Sequence, residues 1–179
     1  MDNGRKSQDG TKPVRLAEHF ATSEKFSDLF SYGMDLVEET ASFLDTEGRL
    51  AAKDLSKAGA SVYGSESMRL TTRLMQLASW LLLQRAVAEG EMTAEQVIVE
   101  KKNIKLAQLH TRFGGAGWDE LPDGFVDLVE RSVSLQKRIL SLDTEIYGDK
   151  VHSQEIMRDN PVASQQALLE TAFDRRFQH

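Results

Sequence analysis

The positions of the three prolines constrain the fold of this chain more than any other sequence feature. Pro13, Pro122 and Pro161 leave residues 14–121 free of proline. Because proline removes a backbone hydrogen bond and clashes with the preceding turn of a helix, its absence allows very long helices in this stretch. Several segments carry apolar residues at alternating spacings of three and four, and none alternates as a strand does. The sequence therefore predicts an all-α fold.

Three long helices are predicted from this periodicity. Their apolar stripes span Phe26–Leu44, Tyr63–Ala88 and Phe125–Ile146. The third stripe has strict 3-4 spacing, which is typical of a coiled-coil seam. Pro122 suits the first turn of that helix, and Gly148 suits its end. We expect a three-helix bundle with long coiled-coil-like helices.

Polar segments flank the predicted bundle. Because such composition buries little apolar surface, we expect a flexible, disordered N-terminal segment at residues 1–21, a helical bundle domain at 22–148 and a mobile, disordered C-terminal tail at 149–179. The tail contains one weakly amphipathic segment, which we interpret as a protein-binding site. Its apolar residues are Leu168, Leu169, Phe173 and Phe177.

The second helix should extend beyond its neighbours and needs a cover for its overhang. Either the segment Thr93–Phe113, which begins with a Thr-x-x-Gln capping pattern, or a second copy of the protein could supply it. We expect pairing through the exposed flank of this helix. Its apolar stripe is widened by Met68, Met75, Leu82 and Ala86, and the two methionines are interpreted as residues that fill the core.

The charge balance excludes several classes of partner. The chain has 22 Lys and Arg against 28 Asp and Glu, a formal net charge of −6, and no cysteine. It therefore lacks the basic excess that drives binding to nucleic acids or anionic membranes, and it cannot form disulfides. The longest strongly apolar stretch, Leu77–Leu83, is far shorter than the roughly 20 residues that span a bilayer. We expect a cytoplasmic protein, with accumulation at a cell pole left open.

The sequence offers no convincing catalytic or metal-binding pattern. The four histidines lie far apart, and none has a second histidine one helical turn away. The run Gly114–Gly117 lacks the Gly-Lys-Ser/Thr ending and the preceding strand of a phosphate-binding loop, so a flexible connector is the better interpretation. We therefore predict no enzymatic activity, no cofactor and no metal.

One face of the second helix is a candidate protein-binding surface. Glu66 can reach Arg69, and Arg73 follows one turn later, which forms a charged ridge beside the apolar stripe. The ridge is either an ordinary surface salt-bridge ladder or an arginine-bearing contact face for an acidic protein. Trp80, whose large ring needs a partner to bury it, and Arg85 complete this predicted face.

The same helix carries a family resemblance. The run Glu66–Val87, followed by Glu89–Thr93, resembles the signature of the alphaproteobacterial regulator of CtrA degradation (RcdA) family. The likeness extends to Phe26–Leu44, with its Gly33–Ala41 block, and to the heptad helix. It therefore spans most of the predicted bundle.

The resemblance implies a non-enzymatic adaptor. Members of the family are homodimers of three-helix bundles with disordered C-terminal tails. The resemblance implies as partners the ClpXP protease, a response-regulator co-adaptor and client transcription regulators of the cell cycle, with no nucleic acid or membrane among them. Two other functions stay open from the residues alone. One is a helical DNA-binding regulator in which Arg69, Arg73 and Arg85 contact phosphate, and the other is a purely structural scaffold dimer.

Overall fold

The computed structural model describes residues 12–158 except 105, 107–110 and 112, and the described side chains lie between residues 16 and 148. No strand occurs among these residues, which confirms the predicted all-α bundle. In chain order the helices are α1 (Lys12–Ala21), α2 (Glu24–Asp45), α3 (Glu47–Ala51), α4 (Lys57–Ala88), α5 (Ala94–Glu100), a 3-10 helix (Lys101–Asn103) and α6 (Asp123–Arg158). The predicted long helices are α2, α4 and α6.

Helix α2 starts at a side-chain cap and buries one narrow stripe. The Ser23 hydroxyl accepts a hydrogen bond from the Phe26 backbone N–H at 3.2 Å, which satisfies one free donor of the first turn. A Cβ atom added at Gly33 would lie 2.5 Å from Leu81 Cδ1, so α2 and α4 pack closely at this point. The buried stripe has the expected 3-4 spacing and consists of Phe26, Leu29, Gly33, Leu36 and Thr40.

Helix α4 is the central element of the bundle. Its 32 residues make it about 48 Å long at 1.5 Å per residue. It contacts α1, α2 and α5 along its length, and its side chains bond to α6. Leu70, Leu77 and Leu81 are almost completely buried, as the predicted stripe requires.

Helix α6 buries the predicted coiled-coil seam but does not end where the sequence suggested. Phe125, Ser132 and Ile139 are fully buried, and Leu142 is half-buried. The helix continues through Gly148 to Arg158, because a glycine inside a helix costs only about 1 kcal/mol and the next proline comes later. The bundle unit ends at Ile146, and a second unit begins at Tyr147.

Helix α1 corrects the prediction of a flexible segment at residues 1–21 for its part from residue 12 to residue 21; residues 1–11 lie outside the described residues. Ala17 and Ala21 are buried, and the Phe20 ring lies 5.5 Å from the ring of Phe26 and 6.5 Å from that of Trp80. The helix packs against α4 and α5. Alanines give a weak hydrophobic signal over ten residues, which explains why the helix was missed in the sequence.

Helix α5 begins with the predicted capping box. The Thr93 hydroxyl accepts from the Gln96 backbone N–H at 3.3 Å, and the Gln96 side chain accepts from the Thr93 backbone N–H at 2.8 Å. Val97 and Ile98 are buried, and the helix lies against α1 and α4. Part of α4 is thus covered within a single chain.

Candidate interaction surfaces

The residues predicted to form a protein-binding face on α4 do not share one surface. Glu66, Arg73 and Trp80 are 2%, 1% and 0% exposed, whereas the side chains of Arg69 and Arg85 are 45% and 51% exposed. The prediction of a continuous charged ridge outside the core is therefore wrong. Only two of its members are accessible on a single chain.

A second buried stripe on α4 explains this difference. Leu70 and Leu77 belong to it and also to the stripe predicted from the sequence, so the two stripes adjoin and α4 is buried over a wide arc. The second stripe contains polar side chains, so its sequence resembles that of a solvent-exposed helix face. Its members follow each other at spacings of four and three: Glu66, Leu70, Arg73, Leu77, Trp80, Gln84 and Val87.

Arg73 is the centre of a buried polar network between α4, α6 and the segment that precedes α6. Its guanidinium donates to Ser132 Oγ at 2.8 Å, to Gln136 Oε1 at 3.2 Å and to Thr111 Oγ1 at 2.6 Å. Burial lowers the pKa of Arg73, while the nearby charge of Glu66 opposes that shift. Because every contact joins different parts of the chain, Arg73 fixes the connecting segment against the helices.

Glu66 supplies the negative charge of this network. Its carboxylate accepts from the Arg69 guanidinium and, at 3.2 Å, from the Thr111 hydroxyl. Thr111 therefore links Glu66 to Arg73 through one hydroxyl group. Glu66 and Arg73 therefore hold other parts of the chain against α4, while Arg69 makes a pair within the helix. The ridge as a whole is neither a free salt-bridge ladder nor a free contact face.

Trp80 is buried by the chain itself. Its Nε1 donates to Asp143 Oδ1 at 2.9 Å, and Lys101 Nζ donates to both oxygens of that carboxylate at 2.7 and 2.8 Å. The ring also lies beside Phe20 of α1. Neither partner element could be located from the local sequence of α4, and so the ring was expected at an interface.

Arg85 remains accessible but is engaged on both sides. Its guanidinium lies 5.0 Å from the centre of the Phe30 ring, and its Nε donates to Glu89 Oε1 at 2.7 Å. Such a surface ion pair is worth less than about 1 kcal/mol, so a partner could replace it at little cost. Arg85 and Arg69 are the members of the predicted face that stay available for contact.

The glycine-rich connector closes on the first turn of α4. Gly117 has φ +85°, and a Cβ atom there would lie 2.6 Å from the Ala58 carbonyl carbon and 2.7 Å from the Gly59 nitrogen. The Glu120 carboxylate accepts from the Ser56 backbone N–H at 3.0 Å and from its hydroxyl at 2.7 Å. A carboxylate of the chain thus occupies the position where a helix N-terminus would bind phosphate.

Replacing Gly117 with alanine should lower the free energy of unfolding by about 2–4 kcal/mol, because the new Cβ adds both backbone strain and a clash with α4. Gly115→Ala is the matched control, since Gly115 also has positive φ but open space around it. Chemical denaturation of both variants measures the difference. Equal losses would mean that the close approach to α4 contributes nothing.

An exposed row of apolar residues on α4 was not predicted from the sequence. Met68, Met75 and Leu82 are 73%, 68% and 50% exposed and lie seven residues apart, on the side of α4 opposite its core contacts. The interpretation of the two methionines as core residues is therefore wrong. The signal that could have revealed them is that the positions between them on the same face, Thr72 and Ser79, are uncharged. The solvent face of a long helix normally carries several charged residues.

The predicted binding site in the tail lies outside the described residues. The tail segment of Leu168, Leu169, Phe173 and Phe177 falls in the undescribed part of the chain. Among the described residues, no group of three His, Asp or Glu side chains could hold a metal ion. Within that same part, no helix is both long and apolar enough to cross a membrane.

Comparisons with known proteins agree with the fold. The family model described as a protein of unknown function (DUF1465) matches residues 17–173. The crystal structure of RcdA from Caulobacter crescentus CB15 is 47% identical in sequence and superimposes with a TM-score of 0.60, over 73% of this chain and 97% of that one. No match is found among curated proteins. With nearly half of the residues identical over almost the whole of the Caulobacter protein, this chain belongs to the RcdA family.

Proposed function

We propose that this protein is a non-enzymatic adaptor that binds client proteins and assists their regulated degradation by the ClpXP protease in bacterial cell-cycle control. The observation that carries the proposal is the 47% identity to RcdA over 97% of that chain. At the coarser level, the same relationship supports a regulatory role in the cell cycle. The proposed partners are ClpXP with a response-regulator co-adaptor, client transcription regulators and a second copy of the chain.

The use of polar side chains within the bundle supports a binding role over a catalytic one. Glu66 and Arg73 are occupied by hydrogen bonds that join α4 to other parts of the chain, and Asp143 is held by Trp80 and Lys101. An adaptor needs no reactive group, because it raises the local concentration of a client beside the protease. We propose a cytoplasmic location, and fluorescence microscopy can test for accumulation at a cell pole.

The burial of Arg73 argues against the alternative function of a DNA-binding regulator. Arg73 is 1% exposed and cannot reach a phosphate without leaving the core. Arg69 and Arg85 are exposed but paired with Glu66 and Glu89. With a net charge of −6, the protein lacks the basic surface on which nucleic-acid affinity depends.

A capture experiment with the full-length chain tests the adaptor proposal. Leu168, Leu169, Phe173 and Phe177 are replaced with serine, which removes the apolar side chains of the tail and keeps its length. In the matched control, polar residues of the same segment are replaced with serine: Gln165, Gln166, Thr171 and Gln178. Wild type and both variants are then used to recover protease subunits and clients from a lysate of the source bacterium.

The adaptor proposal expects wild type and control to recover ClpX together with client regulators, and the apolar-to-serine variant to lose most of the clients. Equal client recovery by all three proteins would assign client binding to the bundle. Recovery of the chain alone, without protease or clients, would contradict the adaptor proposal and favour the scaffold dimer.

A further inference from the structure

Two aromatic side chains of the connector before α6 pack against each other at the surface. The ring centres of Phe113 and Trp118 lie 5.4 Å apart with an angle of 74° between the ring planes, which is an edge-to-face contact. Phe113 is 51% exposed and Trp118 is half-buried. Because an edge-to-face contact covers only one face of one ring, aromatic surface remains open to a third group. We call these two residues the aromatic pair.

The connector holds the aromatic pair in a fixed position. Gly114 and Gly115 have φ +86° and +100° and turn the chain between the two rings. The Trp118 backbone N–H donates to the Gly115 carbonyl at 3.1 Å, and the Leu121 N–H donates to the Trp118 carbonyl at 3.0 Å. Leu121 is buried, and Gly117 lies against α4. The rings are therefore carried by an anchored turn, so little ordering is needed when a partner binds.

Other aromatic rings of the bundle have a cation of the chain beside them. The Arg85 guanidinium lies 5.0 Å from the centre of the Phe30 ring, and the Arg131 guanidinium lies 6.0 Å from that of Tyr32. Within the described part of the chain, no lysine or arginine lies over either ring of the aromatic pair. The pair thus offers ring faces of the kind that attract cations elsewhere in the same molecule.

The sequence around the aromatic pair is strongly acidic. From residue 113 to residue 130 the chain has five carboxylates and neither a lysine nor an arginine. Arg112 precedes this stretch, and its side chain lies outside the described residues. Two of the five carboxylates are engaged within the chain. Asp119 and Asp123 are exposed and make no ion pair with a described residue, so the surface beside the rings favours a cationic partner.

We propose that the aromatic pair is a docking site for a segment of a partner protein that carries an exposed arginine. The guanidinium packs on an open ring face, and Asp119 or Asp123 supplies the counter-charge. Arginine suits this site better than lysine, because its planar and weakly hydrated guanidinium stacks on aromatic rings and binds carboxylates through two N–H groups. The inference goes beyond the proposed adaptor function and does not depend on the protease or its clients.

The charge at this surface argues against a nucleic acid as the occupant. A base can also stack on exposed aromatic rings. Its phosphates would then lie beside Asp119 and Asp123, which repel them, and the site has no basic side chain among the described residues to offset that repulsion. The combination of aromatic rings with carboxylates therefore selects a cationic protein segment.

Nuclear magnetic resonance of the full-length protein with a peptide probe tests the site. The probe is a six-residue peptide that alternates arginine with serine, and the control peptides carry lysine or glutamine in place of arginine. The chain has two tryptophans, so its spectrum contains two indole N–H signals, which Trp118→Phe assigns. We expect the arginine probe to shift the Trp118 signal and to leave the signal of the buried Trp80 in place. The lysine peptide should bind at least about 3-fold more weakly, and the glutamine peptide should not bind.

A variant of the exposed ring tests the aromatic contribution. Phe113→Ala should raise the dissociation constant of the arginine probe at least about 5-fold, because one ring of the pair is lost. Val99→Ala is the matched control, since it shortens an apolar side chain of α5 that is 60% exposed, and it should leave the dissociation constant unchanged. Circular dichroism checks that both variants keep their helical structure.

A double variant tests the counter-charge. Asp119→Asn combined with Asp123→Asn should raise the dissociation constant of the arginine probe at least about 3-fold at low salt, and the difference should shrink as salt is added. The matched control combines Asp28→Asn with Asp35→Asn, which removes two exposed carboxylates of α2 and lowers the net charge equally. We expect the control to bind the probe as wild type does.

Three results would overturn the proposal. The first is an arginine probe that leaves the Trp118 signal in place, and the second is binding that Phe113→Ala does not weaken. The third is an equal loss of binding in the two double variants, which would reduce the effect to attraction by the net charge of −6. Binding as expected, combined with no capture of clients, would support the docking site and contradict only the adaptor function.

Discussion

Replacing Trp80 with alanine is expected to lower the free energy of unfolding by about 3–5 kcal/mol. The ring is fully buried between α1, α4 and α6, so its removal leaves a cavity that the neighbouring helices cannot close. It also leaves Asp143 without the indole N–H donor at 2.9 Å. Urea denaturation followed by circular dichroism measures the loss.

Leu50→Ala provides the control for this prediction. Leu50 is also a large apolar residue, but it is 63% exposed on α3. Its truncation to alanine should lower the free energy of unfolding by less than about 0.5 kcal/mol. A stable, folded Trp80→Ala protein with altered oligomeric state would contradict the burial of the ring. That result would restore Trp80 to an intermolecular interface.

Replacing Arg73 with methionine is expected to cost about 3–5 kcal/mol. The change removes three buried hydrogen bonds, to Ser132, Gln136 and Thr111, and takes away the buried positive charge that lies near Glu66. Methionine has a similar length, so the loss reports the polar contacts more than packing. The unfolding free energy from chemical denaturation is again the measurement.

Arg69→Met is the matched control on the same helix. Arg69 bonds to the same carboxylate, but its side chain is 45% exposed, so water replaces much of the lost interaction and the cost should stay below about 1 kcal/mol. If both variants lost the same free energy, the network around Arg73 would contribute no more than a surface ion pair. The buried position of Arg73 would then add nothing to the free energy of unfolding.

The long helices could be predicted from the sequence because their signals are local. Proline positions, 3-4 spacing and the caps at Ser23 and Thr93 depend on residues within one or two turns of each other. Helix α1 was missed because small alanines form its buried face, and the extension of α6 was missed because Gly148 resembles a stop signal. The formation of α1 and the end of α6 both depend on more than the residues at the helix ends.

The candidate site was harder to predict because burial depends on what packs against a residue. From their residue types and spacing, Glu66, Arg73 and Trp80 were expected on the surface. In the structure they are enclosed by α1, α6 and the connector before α6. Met68 and Met75 were expected in the core because they are apolar, yet nothing in the described part of a single chain covers them. A rotation of about 100° around one helix separates the two interpretations, and no local pattern fixes that angle.

The division of α4 into two faces relates the structure to the proposed function. Its inner arc holds the bundle together through Trp80 and the Arg73 network, whereas Met68, Met75 and Leu82 are exposed on the opposite face. A dimeric adaptor built this way would present its tails in pairs, which raises the effective concentration of bound clients. The stability of the bundle and the capture of clients are then controlled by different residues.

The degradation rate of a client in a reconstituted system tests the adaptor function most directly. Purified ClpXP, the response-regulator co-adaptor and a client transcription regulator are combined with and without this protein, and the half-life of the client is followed. The adaptor function predicts at least a several-fold shorter half-life with the wild-type chain and no acceleration with the apolar-to-serine tail variant. An unchanged half-life across a range of wild-type concentrations would contradict it.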